Sequence, residues 1–210
     1  MDIDDEIFDD DGQKSDKDRN LMAKGYKKGN LIHLSQGEFK ELYENNFFGN
    51  LEDNELILIP EEASLLIERS RIKIYFDKDF REEVNLGKFI ELISKHDEDF
   101  WSKYLVYKDL RSRGYVVRSG YGGSGKLVPY RRYPRGAKPD TKQSDTFIYP
   151  FSEGMTIEPH QFDLIVNQAQ SNRKSLLLGI IDRSGDVTYY KASEFQIPVN
   201  TEKFEWKNED

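Results

Sequence analysis

The sequence contains no cysteine and only three histidines, at positions 33, 96 and 160. A disulfide framework and a thiolate metal site are therefore excluded, and a histidine-rich metal centre is disfavoured. No apolar run reaches the length of about eighteen residues that a membrane helix needs. The first residues are acidic, whereas a secretory signal is basic and then apolar. We therefore expect a soluble, cytoplasmic protein without membrane contact, metal or cofactor.

Charge is distributed unevenly along the 210 residues, whose formal net charge is −8. Residues 1–20 hold nine acids and three bases, a balance of −6, whereas residues 101–142 hold eleven bases and two acids, a balance of +9. A strongly charged segment with few apolar residues cannot bury enough surface to become ordered, so we expect a disordered acidic tail over residues 1–24. An acidic chain is not a typical nucleic-acid binder, but its basic segment can face phosphates.

The apolar pattern predicts two domains that mix strands and helices, hence an α/β (α+β) fold. We assign residues 25–98 to a small mixed N-terminal α/β domain and residues 99–195 to a C-terminal domain, followed by a tail over 196–210. Apolar runs that predict strands lie at Leu31–Leu34, Leu56–Ile59, Ile72–Phe76, Tyr115–Val117, Thr146–Tyr149, Ser175–Ile181 and Thr188–Tyr190. Segments with helical spacing separate most of these runs.

A basic cluster interleaved with Tyr130 and Tyr133 forms the clearest candidate binding surface. Its members are Arg131, Arg132, Arg135, Lys138 and Lys142. Such residues combine phosphate neutralisation with base stacking, which is typical of an RNA-facing loop. The alternative is a solvated loop that only keeps the protein soluble, and the residues alone do not separate the two readings.

Two C-terminal stretches are Tyr104–Val117, which reads YLVYKDLRSRGYVV, and Arg173–Asp182, which reads RKSLLLGIID. Both resemble the archaeal tRNA-splicing endonuclease family. The first is similar to the helix and strand that open the family's C-terminal domain, and the second to the strand that carries its catalytic lysine. Asn46–Asn50, with the strand and helix that follow, is similar to its N-terminal domain. The resemblance implies a restriction-endonuclease-like C-terminal domain with a central mixed β-sheet flanked by helices.

The resemblance also implies metal-free excision of introns from pre-tRNA, which leaves 2′,3′-cyclic phosphate and 5′-hydroxyl ends. In the family a tyrosine acts as general base, a histidine as general acid and a lysine as charge stabiliser. Lys174 matches the lysine, and Tyr130 matches the tyrosine with Tyr133 as a rival. The histidine position falls near Ser144, in the run Gln143-Ser144-Asp145, where no side chain replaces imidazole at neutral pH.

The missing histidine predicts a structural, non-catalytic subunit that pairs with a catalytic endonuclease subunit in a heterotetramer of two plus two chains. The resemblance places an acidic loop and the last strand at the subunit interface, and the matching residues are Asp182, Asp186, Tyr189 and Tyr190. Two alternatives stay open. One is a catalytic subunit that uses Tyr130 and Lys174 with a substitute acid such as His160. The other is a non-enzymatic RNA-binding or assembly protein.

Overall fold

The computed structural model describes residues 22–120 and 129–193, which form eleven strands in two sheets and five helices. The predicted tails fall outside these residues, except that the first strand already begins at Ala23. No helix in the described part of the chain is both long and apolar enough to cross a membrane.

The N-terminal sheet has six strands in the order β3-β4-β2-β1-β5-β6, and only its β1–β5 pair is parallel. Its strands are β1 (Ala23–Lys28), β2 (Leu31–Gln36), β3 (Asn50–Glu52), β4 (Glu55–Leu58), β5 (Ile72–Tyr75) and β6 (Glu83–Val84). Its helices are α1 (Lys40–Glu44), α2 (Pro60–Glu68) and α3 (Leu86–Ser94). Pro60 suits the first turn of α2, because the amide that it lacks would have no partner there.

The C-terminal sheet has five strands in the order β11-β10-β9-β8-β7, and only its β9–β10 pair is parallel. Its strands are β7 (Tyr115–Ser119), β8 (Tyr130–Arg135), β9 (Thr146–Ser152), β10 (Ser175–Ile181) and β11 (Val187–Ala192). Helix α4 (Phe100–Ser112) packs on one face, and helix α5 (Pro159–Ser171) packs on the other through Phe147 and Leu176. The predicted mixed sheet flanked by helices is confirmed.

Gly179 lets α4 lie close to the C-terminal sheet. A Cβ atom at this position would be 3.0 Å from Val106 Cγ2, which is tighter than ordinary van der Waals contact. Any larger residue here would therefore push α4 away from β10.

One local prediction was wrong, because the basic cluster does not lie wholly on a loop. Arg131, Arg132 and Arg135 belong to β8, which pairs with β7 on one side and β9 on the other. The buried rings of Tyr130 and Tyr133 hold this strand in the sheet, so the arginines lie along a strand.

Buried polar contacts join the two domains. The Tyr130 hydroxyl on β8 donates a hydrogen bond to Glu61 Oε1 on α2, at 2.6 Å. The buried guanidinium of Arg118 on β7 donates to the carbonyl oxygens of Phe47 and Gly49. Since each contact crosses from one sheet to the other domain, the position of the C-terminal sheet is fixed against the N-terminal domain.

Candidate functional site

The C-terminal sheet has two ends of different character. Because β9 and β10 are parallel, both begin at one end, which we call the lysine end and define by Tyr115, Arg135, Ser144 and Lys174. Both finish at the loop end, defined by the loop Asp182–Asp186 and the strand ends before it. Seven residues of strand span about 23 Å, so the two ends are well separated.

Lys174 holds the lysine end together. It follows α5, whose last turn closes at Arg173 in a left-handed backbone conformation with φ of 53°. Its ammonium group donates a hydrogen bond to the carbonyl oxygen of Ser144, which precedes β9. The Ser144 side chain is buried, and its hydroxyl has no partner within the described ranges. Lys174 therefore makes a structural contact at the position where the histidine was expected.

Tyr130 does not join Lys174. Its ring is buried on the α4 face of the sheet. In the sheet Tyr130 lies opposite Ile148, which is two residues further from the lysine end than Thr146, the first residue of β9. Burial and the neighbouring Glu61 carboxylate raise the pKa of the Tyr130 hydroxyl well above its usual value. A phenol that donates to a buried carboxylate and resists ionisation in this way links the two domains and is poorly suited to act as a base.

Tyr133 lies nearer to the lysine end. Arg132 pairs with Thr146, so the next residue of β8 is one step closer to Ser144. The Tyr133 ring packs on Phe47 with a centroid distance of 5.7 Å. No described residue forms a hydrogen bond with its hydroxyl. From the sequence, Tyr133 was only the second candidate for the family tyrosine. The choice depends on how β8 is aligned with β9, and this alignment cannot be read from the sequence of β8 alone.

None of the three histidines lies at the lysine end. His33 belongs to the N-terminal sheet, where its Nδ1 lies 2.8 Å from Glu55 Oε2. His96 lies between α3 and α4, close to the residue where α4 begins. The start of α4 lies at the loop end, because the Ser102 hydroxyl on α4 contacts the Ser152 hydroxyl at the end of β9. His160 lies in the first turn of α5, and this helix of thirteen residues separates it from Lys174 by about 20 Å.

The basic cluster extends from β8 over the loop beyond it. Arg132 donates to Asp145 Oδ2 at 3.2 Å, and its guanidinium lies 4.6 Å from the centre of the Tyr115 ring. Arg135 lies 5.0 Å from the same ring. Arg131 Nε donates to the Ser119 carbonyl at 2.9 Å, Lys138 Nζ donates to the Asn45 carbonyl at 2.8 Å, and Lys142 is exposed. RNA binding by these side chains stays a prediction.

A groove with three arginines opens between the domains beside the lysine end. Its volume is about 210 Å³, and its cationic lining residues are Arg69, Arg71 and Arg111, which we call the arginine groove. Arg111 is fixed by a 2.9 Å hydrogen bond to the Asn46 carbonyl and by the Phe48 ring 3.9 Å away. Sequence reasoning missed this groove, because forty residues separate Arg71 from Arg111 and no local pattern connects them.

The loop end carries a turn with acidic side chains. Asp182 Oδ1 accepts hydrogen bonds from the amides of Ser184 and Asp186, at 2.8 and 2.9 Å, and so shapes the turn. The Asp186 side chain is exposed. In the adjacent strand, Tyr190 is 55% exposed, while Tyr189 is half-buried and donates to Asp109 Oδ2 at 2.8 Å. Of the predicted interface residues, Asp182, Asp186 and Tyr190 are therefore exposed, and Tyr189 is half-buried.

No metal centre is visible in residues 22–120 and 129–193, where no three histidine, aspartate or glutamate side chains lie close enough to share an ion.

Comparison with known proteins identifies two matching domain models. Residues 23–86 match the N-terminal domain of tRNA intron endonuclease, and residues 100–189 match its catalytic C-terminal domain. A tRNA-splicing endonuclease of Pyrococcus abyssi is 34% identical over 167 residues, which cover 79% of this chain and 92% of that protein. Similar proteins of the same name occur in Thermococcus kodakarensis, 34% identical over 77% of this chain and 90% of the relative, and in Methanothermobacter thermautotrophicus, 34% identical over 72% and 84%.

Proposed function

Because this chain belongs to the tRNA-splicing endonuclease family, we propose that it is the structural subunit of a heteromeric enzyme that excises introns from pre-tRNA. The observation that carries the proposal is the lysine end without a histidine. All three histidines of the sequence lie elsewhere, so no imidazole is available to protonate a leaving oxygen near Lys174.

The contacts of the remaining matched residues support the same role. Lys174 already uses its ammonium group to hold the Ser144 carbonyl. Tyr130 uses its hydroxyl on Glu61 in the interior. Tyr133 fits the position of the family tyrosine better, because the register brings it to the lysine end. A tyrosine and a lysine without an acid leave one of the two proton transfers uncatalysed.

The loop end and the arginine groove support assembly with a second subunit. The exposed Asp186 carboxylate projects from a turn that Asp182 shapes, so it can dock without prior ordering of the loop. The arginine groove offers a complementary surface for the corresponding acidic loop of a partner. Strand β11 is the edge of its sheet in the described residues and can pair with another strand.

Pre-tRNA binding is the second contribution that we propose for this subunit. Arg132 and Arg135 face the Tyr115 ring near the lysine end, and Lys142 is exposed on the loop that leads to β9. Guanidinium groups that are already fixed in position are suited to bind phosphates, because they lose little further side-chain entropy on binding.

The test is a cleavage assay with the purified chain and an intron-containing pre-tRNA. We expect no cleavage by the chain alone, and excision once a histidine-bearing subunit of the family is added. Clean excision by the chain alone would overturn the proposal. It would favour the catalytic alternative, although the position of His160 at the far end of α5 gives that alternative no acid.

A further inference from the structure

The arginine groove has an excess of positive charge. Its lining contains three arginines and no acid. Neither Arg69 nor Arg71 forms a salt bridge with a described residue, and Arg111 is held by a neutral carbonyl. Guanidinium groups that converge on one concave surface without a salt bridge to a described residue favour a ligand with several carboxylates.

The chain enters the structure beside this groove. In the parallel pair of β1 and β5, Ala23 lies opposite Ile72, so the residue before each strand, Met22 and Arg71, are also neighbours. Paired strands are about 4.8 Å apart. The 21 residues that precede Met22 include nine acids and three bases, and they therefore join the described chain next to Arg71.

We propose that the acidic segment of residues 1–21 binds in the arginine groove of its own chain. Its densest acidic run, Asp9-Asp10-Asp11, lies about twelve residues from Met22, and twelve residues can span at most about 40 Å. This reach includes a groove whose nearest arginine is beside the attachment point. A tether this short gives an effective concentration in roughly the millimolar range, so even weak carboxylate–arginine pairs are populated.

The consequence of this contact rests on the proposed function. If the same groove receives the acidic loop of a partner, the segment of residues 1–21 competes with that loop and weakens assembly. Because the competitor is charged, its effect is larger at low ionic strength, where screening is weak. The segment then acts as a built-in regulator of docking in the groove.

A spin label gives the direct test, since the chain has no native cysteine that would also react. The variant Gln13→Cys is labelled in the full chain, and the side-chain Nε–H signals of its arginines are recorded by NMR. We expect the signals of Arg69, Arg71 and Arg111 to lose most of their intensity at every protein concentration, while Arg183 at the loop end keeps its signal. The proposal would be overturned if the groove arginines lost no intensity, or if Arg183 lost as much intensity as they do.

Changing the protein concentration and the charge of the groove distinguishes binding within one chain from binding by a second copy. Broadening that appears only on raising the concentration would mean that the segment of a second copy fills the groove, which also overturns binding within one chain. In a further variant, Arg71→Ser removes a groove charge and should restore the signals of Arg69 and Arg111. Broadening that persists in this variant comes from the tether beside the groove alone and overturns binding in it. The matched control Arg81→Ser removes an exposed arginine from the same domain and should leave the broadening unchanged.

Measurements of association with the catalytic subunit test this proposal separately from the proposed function. Replacing Asp9, Asp10 and Asp11 by Asn should tighten association with the catalytic subunit by several-fold at low salt and change little at high salt. If the spin-label contact is present but Asp186→Lys leaves association unchanged, docking of the loop fails while the contact of the segment stands. If the loop variant weakens association but no spin-label contact is seen, the contact fails and docking stands.

Discussion

The lysine end and the loop end of the C-terminal sheet belong to the same strands but differ in what their side chains are bonded to. At the lysine end, Lys174 holds the Ser144 carbonyl and no histidine is near. At the loop end, Asp182 shapes a turn that leaves Asp186 exposed. Under the proposed function, the missing acid concerns the lysine end, whereas the docking loop lies at the other end of the sheet about 23 Å away, so the loss of one need not disturb the other.

The sheet between the two ends is stabilised by residues outside the expected histidine position. Its stability comes from apolar side chains on both faces and from the interdomain contact of Tyr130 with Glu61. Neither of these needs a histidine near Ser144. The general lesson is that membership of a catalytic family and the possession of its catalytic groups are separate properties, which must be read from different residues.

The largest effect is expected at the loop end. Asp186→Lys should weaken association with a catalytic subunit by roughly 100-fold, because like charges brought together across an interface cost several kcal/mol. Association is measured by sedimentation or calorimetry. The matched control Glu153→Lys changes an exposed acid at the same end and should leave association within about twofold. Equal weakening by both variants would show a general charge effect and break the assignment of Asp186.

The next effect separates the two tyrosines. Tyr130→Phe should lower the free energy of unfolding by about 1–3 kcal/mol, because the buried Glu61 carboxyl loses its donor. Tyr133→Phe should cost less than about 0.5 kcal/mol, since its hydroxyl has no described partner. Denaturant unfolding measures both. Equal losses would contradict the different roles given to the two hydroxyls.

The pH dependence of Tyr130→Phe sharpens this result. Burial raises the pKa of Glu61 above the ordinary 4.5, and the bond from Tyr130 lowers it, so the variant raises it further. A carboxyl with a raised folded pKa favours folding below its unfolded pKa, and this contribution is lost as the pH rises through the folded pKa. The destabilisation should therefore be smallest near pH 4.5 and grow at higher pH. A loss that shrinks with rising pH would contradict the assigned contact.

A smaller effect is expected for RNA binding at the lysine end. Lys142→Ala should weaken binding of pre-tRNA to the assembled enzyme by a few-fold and lower the slope of affinity against salt by about one, as expected for one lost phosphate contact. Lys78→Ala removes an exposed lysine of the N-terminal domain and serves as the control. If both variants behave alike, the lysine-end surface is not the RNA contact.

The sequence allowed most of the fold to be predicted, because apolar runs and helical spacing are local signals. The strands at Ile72, Thr146 and Ser175 lie where these signals placed them, and helices occupy segments between them. The strands β1, β3 and β6 were not predicted, since they are short or rich in lysine and glycine. Strand β8 was predicted as part of a loop, because Tyr130 and Tyr133 are three residues apart and so do not give the alternation of apolar residues that predicts a strand.

The site was harder to predict than the fold. The absence of a histidine near Ser144 is visible in the sequence, and so is the match of Lys174. The partner of Tyr130 is not visible, because Glu61 lies 69 residues away and only the packing of two domains joins them. The arginine groove is hidden for the same reason, as its arginines come from two domains.

The most direct test of the structural role is the cleavage rate of a reconstituted enzyme in which this chain carries Lys174→Ala. The resemblance assigns Lys174 to the position of a lysine that stabilises charge on the phosphate, and the loss of such a group costs a catalytic subunit about 100-fold or more. If this chain is structural, single-turnover excision of the intron should keep its rate within about twofold, provided that the assembled complex forms normally. A collapse of the rate in a fully assembled complex would contradict the account.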